Sequence, residues 1–127
     1  RWYMALYDEA AWHFFATFGM DYAYYEAEHA GAFALKQFIR YLAEVHVGET
    51  VAIRTRLLGR SAKRLHFMHF MVNETTGQLA STMEVLGSHA DLAARCTSPF
   101  PDTISRQMDD IIQTNAQLGA RSERNRL

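Results

Sequence analysis

Apolar residues recur at steps of three and four from the start of the chain. Tyr3, Leu6, Tyr7, Ala10, Phe14 and Phe18 share one side of a helix predicted over residues 2–18. No Gly or Pro interrupts that run, and Gly19 is placed to stop it, as a residue that adopts the left-handed conformation without strain. Trp2, Met4, Trp12 and Phe15 lie outside the stripe. The helix is therefore apolar nearly all round, the pattern of a helix wrapped by other structure. Its few polar residues, Asp8, Glu9 and His13, stand out against that background.

After an irregular stretch at 20–31 with one short helical turn, the period changes to that of strands. Residues 33–45 form a first strand and end at the turn Val47-Gly48-Glu49. Residues 50–59 alternate: Val51, Ile53, Thr55 and Leu57 face one way, Ala52, Arg54 and Arg56 the other. Residues 64–72 and 78–90 form two more strands, separated by the turn at 73–77. These spacings describe an antiparallel meander of four strands. A Pro-flanked loop leads to a last helix from Asp102 or Thr103, striped by Ile104, Met108, Ile111, Ile112 and Leu118. The fold class is α+β: helix, sheet, helix, in one domain over 1–119, with a charged, frayed tail at 120–127.

Composition narrows the function classes. A chain of 127 residues with a hydrophobic fraction of 49% can bury roughly two-thirds of its unfolded surface in one core. Thirteen Lys and Arg against 14 Asp and Glu give no basic field, which argues against nucleic acid as a partner. Cys96 is the single cysteine, so no intramolecular disulfide forms and a cytoplasmic location is expected. No apolar run approaches the ~20 residues of a membrane helix, so no membrane partner is expected. His66 and His69 are three apart on a strand and point to opposite faces, so no metal site is expected from them.

The run from Gly48 to Pro101 resembles the 4-hydroxybenzoyl-CoA-thioesterase-like branch of the hotdog superfamily. The likeness rests on Gly48-Glu49 leading to Arg54-Thr55, on the strand from Lys63 to His69, and on His89 with Asp91. The helix YMALYDEAAWHFF resembles the central helix of the same family. Within it, Phe33, Ile39-Arg40, Leu42, LLG at 57–59, AKRLHFMH at 62–69, Thr82 and Glu84 are most similar to betainyl-CoA thioesterases, including those fused to carnitine dehydrogenases. The resemblance implies a hotdog fold, a curved antiparallel sheet wrapped around a central helix, and hydrolysis of a small acyl-CoA. It implies no cofactor, since coenzyme A is part of the substrate. It also places the N-terminal strand and the loop bearing the main catalytic carboxylate upstream of Arg1, which fits a first helix that opens without a cap.

Thioester hydrolysis needs a carboxylate as base or nucleophile and donors that polarise the carbonyl. Asp8, Glu9 and His13 are the catalytic candidates inside the chain; a solvated position, or pairing with Arg40 or among themselves, is the plainer reading. Arg60, Lys63 and Arg64 cluster at a turn and suit the phosphates of CoA, as solvated turn charges also would. Tyr3, Tyr7 and Trp12 are acyl-pocket candidates, and aromatics of the first helix and following turn offer faces for a trimethylammonium group. Arg54 and Arg56 are expected to pair with Glu49 or Glu84. A single hotdog sheet leaves an apolar edge, so a homo-oligomer, a dimer or dimer of dimers, is expected. The alternative function is a non-thioesterase hotdog protein, dehydratase-like or an acyl-CoA-binding subunit, which His13 and Glu9 on the central helix keep open.

Overall fold

The computed structural model describes the backbone of residues 2–125 and the side chains of residues 2–116. The order of elements is α1 (Trp2–Ala16), α2 (Tyr22–Glu28), β1 (Ala30–Tyr41), β2 (Val51–Arg60), β3 (Arg64–Asn73), β4 (Gln78–Asp91), β5 (Cys96–Thr97) and α3 (Asp102–Asn125). The α+β class and the hotdog arrangement hold: a curved antiparallel sheet packs on α1, with a further helix at the C-terminal end.

The strand-pairing order differs from a simple meander. The sheet runs β1-β4-β3-β2, with β5 added on β4. Thus β2, β3 and β4 are joined by tight turns, but β1 pairs with β4 from Ala30↔Asp91 to Tyr41↔Ser81. The cause is the connection 42–50, which is too long for a hairpin and carries the chain from one sheet edge to the other. β1 also begins at Ala30 and stops at Tyr41, earlier at both ends than the run 33–45. Bulges at Ala34/Lys36, Leu57/Gly59 and Met71/Val72 bend the strands and strengthen their twist, which curves the sheet over the helix.

The predicted stripe of α1 is the buried one. Tyr3, Tyr7, Phe14 and Phe18 meet Leu57, Leu65, Phe67, Met71, Met83 and Val85 in one cluster. Burying each large side chain of this kind stabilises the fold by about 2 kcal/mol. The chain turns after Ala16, where Gly19 takes φ +92°, and Met20 N–H donates to Phe15 O at 3.0 Å. The expectation of a helix covered all round is corrected: Trp2 and Trp12 are 49% and 53% exposed. The sheet curves over one face of α1, and α2 approaches the other through the edge of Tyr25 against Trp12.

On the far side of the sheet edge, α3 docks through Ile104 and Met108, both buried. Arg60 of β2 makes a forked contact with Asp109, Nε to Oδ1 at 2.7 Å and the second nitrogen to Oδ2 at 2.9 Å. Asn115 Nδ2 donates to Leu57 O at 3.2 Å. The backbone of α3 stays helical to Asn125, past the start of the tail expected from residue 120. Residues 126–127, and the side chain of Leu118, lie outside the described residues.

Candidate functional site

Alternation along β3 decides what faces α1. Leu65, Phe67, His69, Met71 and Asn73 point inward and are buried, while His66, Met68, Phe70 and Val72 point out. His69 is thus a polar residue in an apolar row, 1% exposed. Its Nδ1 lies 2.6 Å from Thr55 Oγ1 on the neighbouring strand β2, in the register Thr55↔His69. The phenol of Tyr7 stacks over the imidazole, ring centroids 5.4 Å apart and planes 19° from parallel.

Beside this stack lies a cavity of ≈ 110 Å³ between α1 and the sheet. Tyr7, Asp8, Ala11 and Phe15 form its helix wall; Phe33 and Gln37 of β1, Phe67 and His69 of β3, and Met83 and Val85 of β4 close the rest. The walls are mainly apolar and aromatic. Burial pushes the His69 imidazole down to about 4, so the ring is uncharged at neutral pH. Asp8 is then the one charged side chain on the lining. The Tyr7 and Ser81 hydroxyls are buried near the cavity without hydrogen-bond partners. Desolvation raises the Tyr7 phenol, and Ser81 is close enough to oppose that rise in part.

The candidates from the sequence separate onto different faces. Asp8 and Tyr7 line the cavity. Glu9 and His13 do not: they sit 3.8 Å apart on a groove against β2, 71% and 80% exposed, so the pair is solvated. One residue along a helix turns the side chain by about 100°, which is enough to move Glu9 off the face that Asp8 occupies. Tyr3 packs on Tyr41 at 5.6 Å beside the loop 42–46, away from the cavity. Trp12 lines a second hollow of ≈ 280 Å³ with Tyr25, which shares Asp8, Ala11, Phe15 and Ala32 with the first. The three aromatic candidates therefore do not converge on one pocket.

Of the turn cations, Arg60 is held by Asp109, which raises the guanidinium's pKa and lowers the carboxyl's. Lys63 and Arg64 stay exposed and outside any ion pair among the described residues. The expected partners of Arg54 and Arg56 are corrected. Glu49 accepts from the His46 N–H and from Asn73, and Glu84 lies 2.6 Å from His66 Nε2. The register explains this, because Arg56 faces Met68 and Arg54 faces Phe70, one strand short of Glu84. His66 and His69 occupy opposite faces of β3, and no group of three potential metal ligands gathers among the described residues.

A second polar cluster went unread in the sequence beyond its motif letters. His89 Nδ1 is 2.9 Å from Ser98 Oγ and 3.1 Å from Ser98 O, and its Nε2 is 2.8 Å from the Tyr24 hydroxyl. This pins α2 to the end of β4. His69, which lines the cavity, was not among the candidates, though its place was readable as one histidine at an inward position of an otherwise apolar row.

Residues 1–108 match the family model described as the thioesterase-like superfamily. Among curated proteins, the chain is 37% identical over 99 residues to an L-carnitine dehydrogenase/betainyl-CoA thioesterase of Agrobacterium fabrum, covering 78% of this chain and 19% of that protein. It is 27% identical over 116 residues to a betainyl-CoA thioesterase of Pseudomonas aeruginosa, covering 91% of this chain and 73% of that one. The chain thus spans about a fifth of the length of the Agrobacterium relative. Among solved structures, a Staphylococcus aureus protein in complex with CoA superposes with a TM-score of 0.83 at 24% identity, over 87% of this chain and 70% of that one. No described helix is long and apolar enough to cross a membrane.

Proposed function

The chain belongs to the thioesterase-like superfamily, and on that footing we propose that it hydrolyses a small acyl-CoA to the free acid and CoA. The observation that carries this reading is the cavity between α1 and the sheet, small, largely apolar and bordered by the Asp8 carboxylate. A pocket of ≈ 110 Å³ takes an acyl group of a few heavy atoms, and a carboxylate at its edge suits a base that activates water beside the thioester. In this mechanism Asp8 takes a proton from water as the water oxygen adds to the carbonyl carbon. The C–S bond then breaks, and the CoA thiolate leaves and takes up a proton. Water is the co-substrate, and no cofactor is called for beyond the CoA that the substrate carries.

Betainyl-CoA is the substrate we favour. The relatives named for it support this, as do the chemistry of the walls: Tyr7, Phe15, Phe33 and Phe67 offer aromatic surfaces, and Asp8 is the only charge. A trimethylammonium group gains about 1–2 kcal/mol per desolvated aromatic face. Lys63 and Arg64, at the turn before β3, suit the CoA phosphates. A homo-oligomer joined along β1 is the assembly this reading favours, since that edge exposes Phe33, Leu35, Phe38 and Tyr41. The exposed, unpaired Cys96 suits a reducing cytoplasm. The dehydratase-like alternative loses its support in the exposure of Glu9 and His13.

The test is thiol release by the full-length protein from acetyl-, propanoyl-, benzoyl- and betainyl-CoA, with sedimentation equilibrium on the same sample. Release fastest from betainyl-CoA, by a dimer or tetramer, is expected. Absence of thiol release from all four would overturn the hydrolase reading, and a monomer would overturn the assembly.

A further inference from the structure

The cavity holds a second polar group whose chemistry the hydrolase reading leaves unused. His69 has one nitrogen engaged, Nδ1 against Thr55 Oγ1 at 2.6 Å. Its Nε2 makes no hydrogen bond among the described residues, yet is not one of the buried atoms stranded without a partner. Because His69 lines the cavity, that nitrogen is the one left to face it. We propose that His69 is a further catalytic residue of this chain, its Nε2–H donating to the carbonyl oxygen of the acyl group in the cavity, with Thr55 as the positioning residue that fixes the ring. This rests on the acyl-CoA hydrolase reading above.

Three physical points support the assignment. The first is proton bookkeeping at the Thr55 contact. The Thr55 hydroxyl has no other partner among the described residues, so when it donates to Nδ1 both groups are satisfied and the ring proton sits on Nε2. The reverse arrangement leaves the Thr55 proton to solvent in the groove that Thr55 also lines, and the NMR measurement below separates the two. Secondly, the ring is rigid: it stands mid-strand between β2 and β4, in the registers Thr55↔His69 and His69↔Met83, beneath the Tyr7 ring. A donor that need not reorganise is worth most in a water-poor site. Thirdly, the ring is uncharged. Besides Thr55, the rings of Tyr7 and Phe67 pack on it, and Asp8 of α1 is the one carboxylate on the cavity lining, with no further ionisable side chain there from β1 or β4. Burial keeps the imidazole neutral, so it polarises the carbonyl as a neutral donor and does not compete with Asp8 for the proton of water.

The chemical role is limited and balanced. As water oxygen bonds to the carbonyl carbon, the C=O π electrons move onto oxygen, and Nε2–H stabilises that charge without giving up its proton. When the carbonyl re-forms, the C–S pair leaves with CoA. This donor comes from the sheet, in addition to any backbone N–H groups at the start of α1.

The test compares the wild-type full-length protein with His69→Phe, His69→Gln and Thr55→Val, using betainyl-CoA and acetyl-CoA. Removing one oxyanion donor lowers kcat by about a hundredfold. His69→Phe should show that loss with KM within threefold, and His69→Gln, which keeps an N–H, should recover at least tenfold of it. Thr55→Val should fall between. Nitrogen-15 NMR of labelled histidine should find His69 protonated on Nε2 between pH 6 and 8 in the wild type, a readout that does not depend on how well the variants fold. Retention of kcat within threefold by His69→Phe, a loss confined to KM, or a proton found on Nδ1 would each overturn the proposal. If wild-type protein releases thiol from neither substrate, the hydrolase reading falls, and this inference falls with it whatever the NMR shows.

Discussion

The Tyr7 ring lies nearly parallel to the His69 imidazole, with centroids 5.4 Å apart, and its hydroxyl is buried beside Ser81 but outside good hydrogen-bonding geometry. Ring and hydroxyl thus pull in opposite directions energetically. Tyr7→Phe keeps the stack and removes the stranded hydroxyl, so it should be neutral or stabilise the fold by about 1 kcal/mol. Tyr7→Ala loses the ring, opens the core and should cost about 3–5 kcal/mol. Urea unfolding of both variants measures this. A Tyr7→Phe variant clearly less stable than wild type would show that the hydroxyl is satisfied after all.

His69 gives the fold a pH dependence of known sign. Its pKa is about 4 folded against 6.5 in an unfolded chain, because burial disfavours the charged ring. A neutral buried histidine contributes full stability above 6.5, and that contribution is lost as pH falls from 6.5 towards 4. Between pH 7 and 5 this single group should cost about 2 kcal/mol. Unfolding midpoints at the two pH values, wild type against His69→Gln, should show a steeper fall in the wild type. Parallel pH profiles would contradict the assignment.

Asp8 and Glu9 are adjacent in sequence and opposite in expected effect. Asp8→Asn should cut thiol release by 10²-fold or more, about the contribution of a positioned base, with melting temperature little changed. Glu9→Gln and His13→Ala, on the solvated groove, should keep activity within about twofold, the near-neutral result usual for surface substitutions. Equal losses at Asp8 and Glu9 would place the chemistry elsewhere on α1.

Arg60 and Asp109 join the sheet to α3 by a forked ion pair that is open to solvent on the carboxylate side. Such a pair is screened by salt. Asp109→Asn should therefore lower the melting temperature by a few degrees at low ionic strength, and the deficit should shrink in 1 M NaCl. A deficit that salt leaves unchanged would mean the side chain acts through helix structure rather than charge.

Much of the architecture was legible where the relevant physics is local. Strand β2 announced itself by alternation, β3 and β4 by apolar runs bounded by turn signals, and the turns at Gly48 and at Asn73–Gly77 by residues that accept unusual backbone angles; Gly77 takes φ +75° and its N–H donates to Asn73 O at 2.8 Å. The partner of β1 was not legible, since nothing in residues 30–41 says which of two edges they will reach. Periodicity on α1 found Tyr7 and Phe14, yet it could not say that Trp2 and Trp12 would stay exposed, because that depends on how far the sheet curves. Of the candidates on α1, Asp8 and Tyr7 point to the cavity, whereas Glu9, His13, Tyr3 and Trp12 share their residue types but not their direction. The partners of Arg54 and Arg56 depended on register, which one bulge is enough to shift.

The pairing of β1 with β4 has a consequence for the order in which the molecule assembles. Strands β2, β3 and β4 can zip as successive hairpins with short loops to close, whereas β1 must wait for distant residues, from Ser81 against Tyr41 to Asp91 against Ala30. Closing so long a loop is entropically slow. Phe33 and Gln37, which wall the cavity, ride on that late strand. A chain folded only through its local hairpins therefore has His69 in place but no enclosed pocket. Pulse-labelled hydrogen exchange during refolding tests this order: the amides of β1 should gain protection after those of β3 and β4, and simultaneous protection would contradict it.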